Sequence, residues 1–584
     1  MKLLRIKITD PAGFRSLPCD FEHHFRTEWN LQDELAQPEG FAPFVCAGPN
    51  GSGKSNLLEA LAAIFFNIES RLLFFVPRFE NIVTGETQLL LDSSRCKPDA
   101  YELEYLIPVQ DYTSPVTWHE AHVVIKKSIG GEPTIEWLNR NDFSRDQQSD
   151  RQESLELLPK FVLGYSSGEN EILSLPFFKM RFVQLDEYIN YLNRRENYPG
   201  QPESRLVYLD NSFSQAISIC IYLFFPSAHL RPFQQSLGLE RLLEFRIVLR
   251  HPVPINPSSH QSYSNSIVTQ SEGNSGAYDY SLPILRSFEK MEEKTSYELI
   301  DKLKKCSTCY FEDHERGELI LDYWVNEATS RAFKSNFTDA IELFQSLQIL
   351  LTLNLYAVSD ATKQDVYASD SHYVSETIPT LASDERVMRF KFVRFAKQGL
   401  AQSVMLKDLS DGEHQLLHSL GLCLLFKNTN SLVLLDEPET HFNPSWRASF
   451  ISLLNDCFEG AERTPEMLVT THSPFLISDS KPDKVLVFSK DNTSGEVSIS
   501  HPDYNTLGAS INKITMKTFG KRETIGGHAQ AILEALRTRF EHGNEDKEAL
   551  ITEIHQQLGD SIEKLLLVKA ILDSDQPNNE EAQD

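Results

Sequence analysis

The sequence predicts an α/β fold whose sheet-bearing head is split along the chain. A large, mainly helical insert separates the two halves, and a short helical region follows them. Three observations predict this. Residues 44–47 (FVCA) and 432–435 (LVLL) are short apolar runs that end abruptly in glycine-rich or acidic residues. Buried parallel strands look like this, and their C-terminal ends are where such sheets hold ligands. In residues 285–357 the pattern turns helical, with Phe337, Ile341, Phe344, Leu347 and Leu351 at three- and four-residue steps. Residues 509–572 are also helical in pattern. The chain thus divides into head halves at 1–165 and 386–508, an insert with mobile loops at 166–385, and a helical tail at 509–584. The tail is a candidate partner-binding region.

Taken in order, residues 3–8 alternate at period two and read as a strand, with no signal-peptide core. The strand at 44–47 runs into Gly48-Pro49-Asn50-Gly51-Ser52-Gly53-Lys54-Ser55, which fits the phosphate-binding pattern G-x-x-x-x-G-K-[ST]. Residues 56–66 (NLLEALAAIFF) read as the helix leaving it. Glycines let backbone N–H groups close around a phosphate, and the helix N-terminus adds partial positive charge. In that setting Asn50, Gly51, Ser52, Gly53, Lys54, Ser55 and Asn56 would bind ATP. Lys54 would reach the β/γ phosphates and Ser55 would ligate Mg2+. Further strands are expected at 101–107, 122–125 and 161–164. Polar stretches at 139–153, 257–277 and 361–380 read as loops, and the acidic, Asn-rich end of the chain as a frayed tail.

The second half carries the partner motifs. Leu432-Val433-Leu434-Leu435 ends in Asp436 and Glu437. Asp436 would hold Mg2+, and Glu437 would orient or deprotonate the attacking water. Side chains alternate along a strand, so adjacent carboxylates serve different jobs. Ser410, Gly412 and Glu413 stand where a helix begins. A serine hydroxyl and free N–H groups there form a second phosphate cradle, and Glu413 could equally complete a capping box. His472 follows another apolar strand and would donate to the γ-phosphate.

The order P-loop, LSDGEHQ, LLDEPETHFNP, THS resembles the ABC-type ATPase head. The resemblance implies that two heads bind two ATP molecules face to face. The P-loop and Asp436–Glu437 of one would meet the Ser410–Gly412 loop of the other. His472 matches the switch histidine, and residues 439–444 match the loop crossing the dimer interface. Gly13-Phe14-Arg15-Ser16-Leu17 looks like the opening of the RecF, SMC and OLD branch, which acts on nucleic acid. Gln184 and Gln215 are the candidates for that family's glutamine loop.

OLD-type enzymes carry a nuclease domain after the head. Here about a hundred residues follow Ser473, without carboxylate-bearing strands or an H-N-H pattern. The layout of head, large insert and short helical tail resembles the AAA_15/AAA_21 ATPases of bacterial antiviral defence. These include restriction-system-associated ATPases and PtuA of Septu and retron systems. That resemblance implies an ATP-hydrolysing sensor and scaffold, homodimeric or of higher order through its heads, that cuts no nucleic acid itself. It would control a separate H-N-H nuclease of the PtuB kind, with DNA, or retron RNA/DNA, as a candidate ligand. The alternative is a RecF-like DNA-repair ATPase acting directly on DNA.

A net charge of −27 argues against a nonspecific nucleic-acid adhesive, so such contact would need a local basic face. Arg386, Arg389, Lys391, Arg394 and Lys397 offer one, or else a solvated strand face. Eight cysteines without a framework, and an apolar run at 217–225 too short for a bilayer, are the expectation for a cytoplasmic protein with no membrane partner. Cys306 and Cys309 form a single C-x-x-C, which lacks the second pair a zinc site needs.

Overall fold

A computed structural model describes residues 1–36, 41–80, 87–89, 91–110, 118–143, 149–167, 173–210, 213–255, 263, 267–272, 278–288, 299–370, 378, 380–491, 493, 495–521, 525–543 and 546–574. At its centre is a seven-stranded sheet. The spatial order is Leu206–Tyr208, Val162–Ser166, Leu432–Asp436, Glu466–Thr471, Phe44–Ala47, Val485–Lys490 and Val497–Ser500. All neighbours are parallel except the last pair. Every residue of Phe44–Ala47, Leu432–Asp436 and Glu466–Thr471 is buried, because both sheet faces are covered. This is a P-loop ATPase fold, with the loop strand inserted between two strands from the far end of the sequence.

The helix Lys54–Leu72 leaves the P-loop buried on nearly all sides. It packs against the central sheet, and its Phe65 meets Tyr105 at 6.0 Å. Tyr105 belongs to a second, antiparallel sheet in the order Glu22–His24, Lys2–Ile8, Tyr101–Gln110, Trp118–Lys127, Thr134–Trp137. The two sheets are tied by Arg26, whose guanidinium donates to Glu466 at 2.9 and 3.1 Å.

Residues 166–385 carry the helices expected and, between them, strands that were not. They hold the edge strand Leu206–Tyr208 of the central sheet and the 12-residue strand Leu239–Arg250. The latter joins Cys309–Asp313, Glu318–Trp324, Met388–Lys397 and Val404–Met405 in a third, antiparallel sheet. Residues 309–324 are therefore a hairpin where helix was expected. Its turn is set by Asp313, which accepts from the N–H groups of Glu315 and Arg316, and by Gly317 at φ 62°. Helical periodicity holds further on, in Ala340–Thr352, where Phe344 and Leu347 are buried. The expected loop at 361–380 contains the helix Asp360–Ala368, capped by Ser359, and that at 139–153 contains the start of Asp150–Glu156, capped by Ser149. Most of 257–277 and the tail from 575 lie outside the described residues.

The main core runs from Met1 to Ile514. The helix Ile511–Thr518 contributes Ile514 to it and so packs with the head. The helices Gly527–Glu541, Lys547–Gln557 and Ile562–Asp573 enclose a separate cluster of Leu533, Leu536, Leu550, Ile554, Leu558, Leu567 and Ile571. Among the described residues no single helix is long and apolar enough to cross a membrane.

Candidate active site

The P-loop is braced by residues 13–17. Gly53 takes φ 98°, and a Cβ there would stand 2.8 Å from Ser16 Oγ, so only glycine fits. Ser16 Oγ donates to Asn56 Oδ1 at 2.7 Å, and Arg15 holds Glu59 of the P-loop helix through Nε and Nη2 at 3.0 and 2.9 Å. Lys54 Nζ curls over its own loop and donates to the carbonyls of Gly48 and Pro49, both at 3.0 Å. Burial pulls its pKa below the usual lysine value.

Parallel pairing brings the ends of three strands together at Asp436. Its register partners are Ser166 on one side and Thr470 on the other. Thr470 Oγ1 and Ser55 Oγ donate to Asp436 Oδ1 at 2.6 and 2.7 Å, and Ser166 Oγ to Oδ2 at 3.4 Å. Ser55 and Asp436 are 381 positions apart in the chain. Burial pushes the Asp436 pKa up, opposed by these hydroxyl donors.

Glu437 sits at φ 48°, a left-handed conformation that a non-glycine residue rarely adopts. The turn swings its carboxylate away from Asp436 and toward His472, whose Nε2 lies 3.2 Å from Glu437 Oε1. The contact with His472 holds the Glu437 carboxyl below the usual carboxylate range. Thr470 Oγ1 accepts from the Glu437 N–H at 3.0 Å, fixing the turn. Beyond it Thr440 Oγ1 meets Ser167 Oγ at 2.9 Å, and Thr471 donates to the buried Glu439.

Lys54, Ser55, Asn50, Gly51, Gly53, Asn56, Glu437 and His472 line one cavity of about 850 Å³. Ser52 is buried beneath the loop, donating to the Pro49 carbonyl at 2.8 Å. Four residues absent from the sequence expectation share the cavity: Pro474, just after His472, and Thr515, Phe519 and Lys521, after the last strand of the head. Ser166, Ser167, Thr440 and Thr470 were equally unforeseen. Only an apolar run ending in hydroxyl residues, as at 162–167, hinted at them.

Ser410, Gly412 and Glu413 do not line this cavity. Ser410 is exposed and caps the helix Asp411–Leu425 in a full capping box with Glu413. Gly412 is packed so tightly against the 439–444 loop that a Cβ would lie 2.6 Å from the His441 carbonyl oxygen. Gln184 and Gln215 are not at the site either. Gln184 is fully buried, accepting from Gln348 at 3.4 Å, and Gln215 is on the helix Ser214–Phe224. Three of the five residues of the basic strand region are neutralised, Arg389 on Glu318, Arg394 on Glu244 and Lys397 on Glu413, each at 2.6 Å, while Arg386 and Lys391 are exposed.

Ser55 Oγ and Asp436 Oδ1 together fit Mg2+. Both are hard oxygen donors, few in number, beside a phosphate-binding loop, and Mg2+ takes its remaining ligands from water and phosphate.

Residues 331–478 match the family described as "AAA domain, putative AbiEii toxin, Type IV TA system". The matched span includes Ser410, Asp436, Glu437 and His472 but not the P-loop. Protein ea59 of Escherichia phage lambda is 24% identical over 142 residues, which is 24% of this chain and 25% of that one. The chain thus spans about a quarter of the length of the curated relative it matches. Among solved structures, the Smc head domain with an extended coiled coil from Pyrococcus furiosus covers 88% of this chain and 98% of its own, at 12% identity and TM-score 0.30. The SMC head domain from Thermotoga maritima covers 86% and 100%, at 11% identity and TM-score 0.29. The fold assignment stands on the sheet order and loop geometry given above.

Proposed function

We propose that this chain is a magnesium-dependent ATPase whose head binds ATP in the P-loop cavity and works as a pair. One observation carries the reading: Ser55 and Asp436 meet at 2.7 Å across 381 positions, with Glu437 and His472 facing the same cavity. Lys54 binds the β/γ phosphates. Ser55 and Asp436 would hold Mg2+, which would supply positive charge to the phosphates. Glu437, kept ionised by His472, accepts a proton from the attacking water. Head pairing is supported by Ser410, exposed and outside its own chain's cavity, where it is free to face a second copy's nucleotide.

The test is turnover and binding by the purified chain. Lys54→Ala abolishes ATP binding in a calorimetric titration. Glu437→Gln keeps binding and slows hydrolysis by roughly a hundredfold or more, the size expected for loss of a general base. Wild-type turnover in Glu437→Gln overturns its role, and undiminished ATP affinity in Lys54→Ala overturns the P-loop assignment.

At the cellular level the reading is a sensor subunit of an anti-phage complex that restrains or licenses a separate H-N-H nuclease. Its support is the layout of head, insert and helical tail. Cells carrying the gene with its neighbours should resist phage, and lose resistance with Lys54→Ala. No protection by the wild-type locus overturns it.

A further inference from the structure

The nucleotide cavity has a wall that the P-loop and the acidic strand do not supply. Its residues, Thr515, Phe519 and Lys521, come from the helix Ile511–Thr518 and the turn after it. Lys521 and Lys54 are the two lysines of the lining. Lys54 donates to two carbonyls of its own loop, whereas the Lys521 side chain is exposed and has no hydrogen-bond or ion-pair partner among the described residues. Its backbone is held, with the Lys521 N–H donating to the Thr515 carbonyl at 3.3 Å. The Phe519 ring lies 6.4 Å from the His472 ring, tilted by 31°.

The segment is docked, not loosely draped. Gly508 N–H donates to the Ser478 carbonyl at 2.8 Å, and Ser478 Oγ returns a bond to the Ala509 carbonyl at 2.9 Å. Tyr504 and Thr518 hydroxyls meet at 2.7 Å, and Ile514 is fully buried. Ser478 ends the short helix Pro474–Ser478 that begins two residues after His472. The wall is therefore anchored to the helix that follows the histidine.

A nucleoside triphosphate remains anionic after binding one divalent metal. The cavity opposes it with Lys54 on the loop side, while Glu437 adds negative charge on the other. A second cation in the lining, two residues beyond the Phe519 that stands against His472, meets that imbalance. We infer that Lys521 is a second phosphate-binding lysine, contacting the outer phosphates, and that Phe519 is a positioning residue for His472. This deepens the ATPase reading and rests on it.

A lysine-reactive acyl-phosphate derivative of ATP, applied to the full-length chain with Mg2+ and followed by peptide mass spectrometry, tests the phosphate contact. Labelling of Lys54 and Lys521, each blocked by excess ATP, is the expected result. Labelling of Lys54 without Lys521 overturns the inference and leaves the ATPase reading standing. Labelling of neither overturns the ATPase reading itself. In titrations, Lys521→Ala weakens ATP binding about tenfold and ADP binding less than threefold, and Lys521→Arg restores it. Equal loss for both nucleotides, or no loss, overturns the phosphate contact. Phe519→Ala lowers kcat about tenfold with little change in KM, and Phe519→Tyr restores it. A raised KM at unchanged kcat overturns the positioning role.

Discussion

Glu439 is an ionisable group stored two residues from Glu437, the carboxylate we propose as catalytic. It is buried, its Oε1 accepts from Thr471, and its Oε2 has no partner among the described residues. Burial pushes its pKa from 4.5 up to about 7. Because the folded pKa is raised, the folded chain holds this proton more tightly than the unfolded chain. Stability from this group is therefore lost as pH rises from about 4.5 to about 7, and the penalty is constant above that. Glu439→Gln removes the penalty. Its melting temperature should exceed the wild type's at pH 8, by up to about 3 kcal/mol of stability, with the difference vanishing near pH 4. A difference independent of pH would show that Glu439 does not titrate in this range. At the same scale, the sequence revealed Ser55, Asp436 and Glu437 because each stands in a motif at the end of an apolar run. It did not reveal Ser166 or Thr470. Hydroxyl residues at strand ends are common loop starters, and their role follows only from register with Asp436. Lys521 and Phe519 belong to no periodic pattern, so nothing local marked them.

Among the elements, the helix Asp411–Leu425 and the 439–444 loop are fitted to each other at Gly412. A methyl group there meets the His441 carbonyl at 2.6 Å, and backbone cannot yield as a flexible side chain can. Gly412→Ala should cost about 1–3 kcal/mol in urea denaturation, as overpacked sites do. It should also slow ATP turnover with ATP affinity unchanged, because the loop it displaces runs on from Glu437. Unaltered stability and turnover would show that the loop gives way freely. The helix start was legible from its Ser410–Glu413 capping pair, and so was the P-loop helix from its motif. The hairpin at 309–324 was not. Its short alternation sits just before a stretch of strong helical spacing, and the turn depends on Asp313 and Gly317, which also suit loops.

For the whole molecule, the two separate apolar clusters imply two cooperative units. Among the described residues, seven buried and six partly buried apolar side chains hold the C-terminal three-helix unit together, a small core with little reserve of stability. Ile554, fully buried there, should be decisive. Ile554→Ala should cost about 2–5 kcal/mol and melt that unit first. Hydrogen exchange would then show lost protection at 527–573 while ATP binding by the head is retained. Simultaneous loss of protection in the P-loop helix would mean a single folding unit. The central sheet has a different consequence, for synthesis. Among the described residues Phe44–Ala47 pairs with Glu466–Thr471 and Val485–Lys490, strands made more than 400 residues later. At about 5–20 residues per second, translation leaves this fully apolar strand without a neighbour for roughly 20–80 s. The nascent chain must therefore be shielded during that interval, and every ribosome making this protein carries the exposed strand until the last part of the head has emerged.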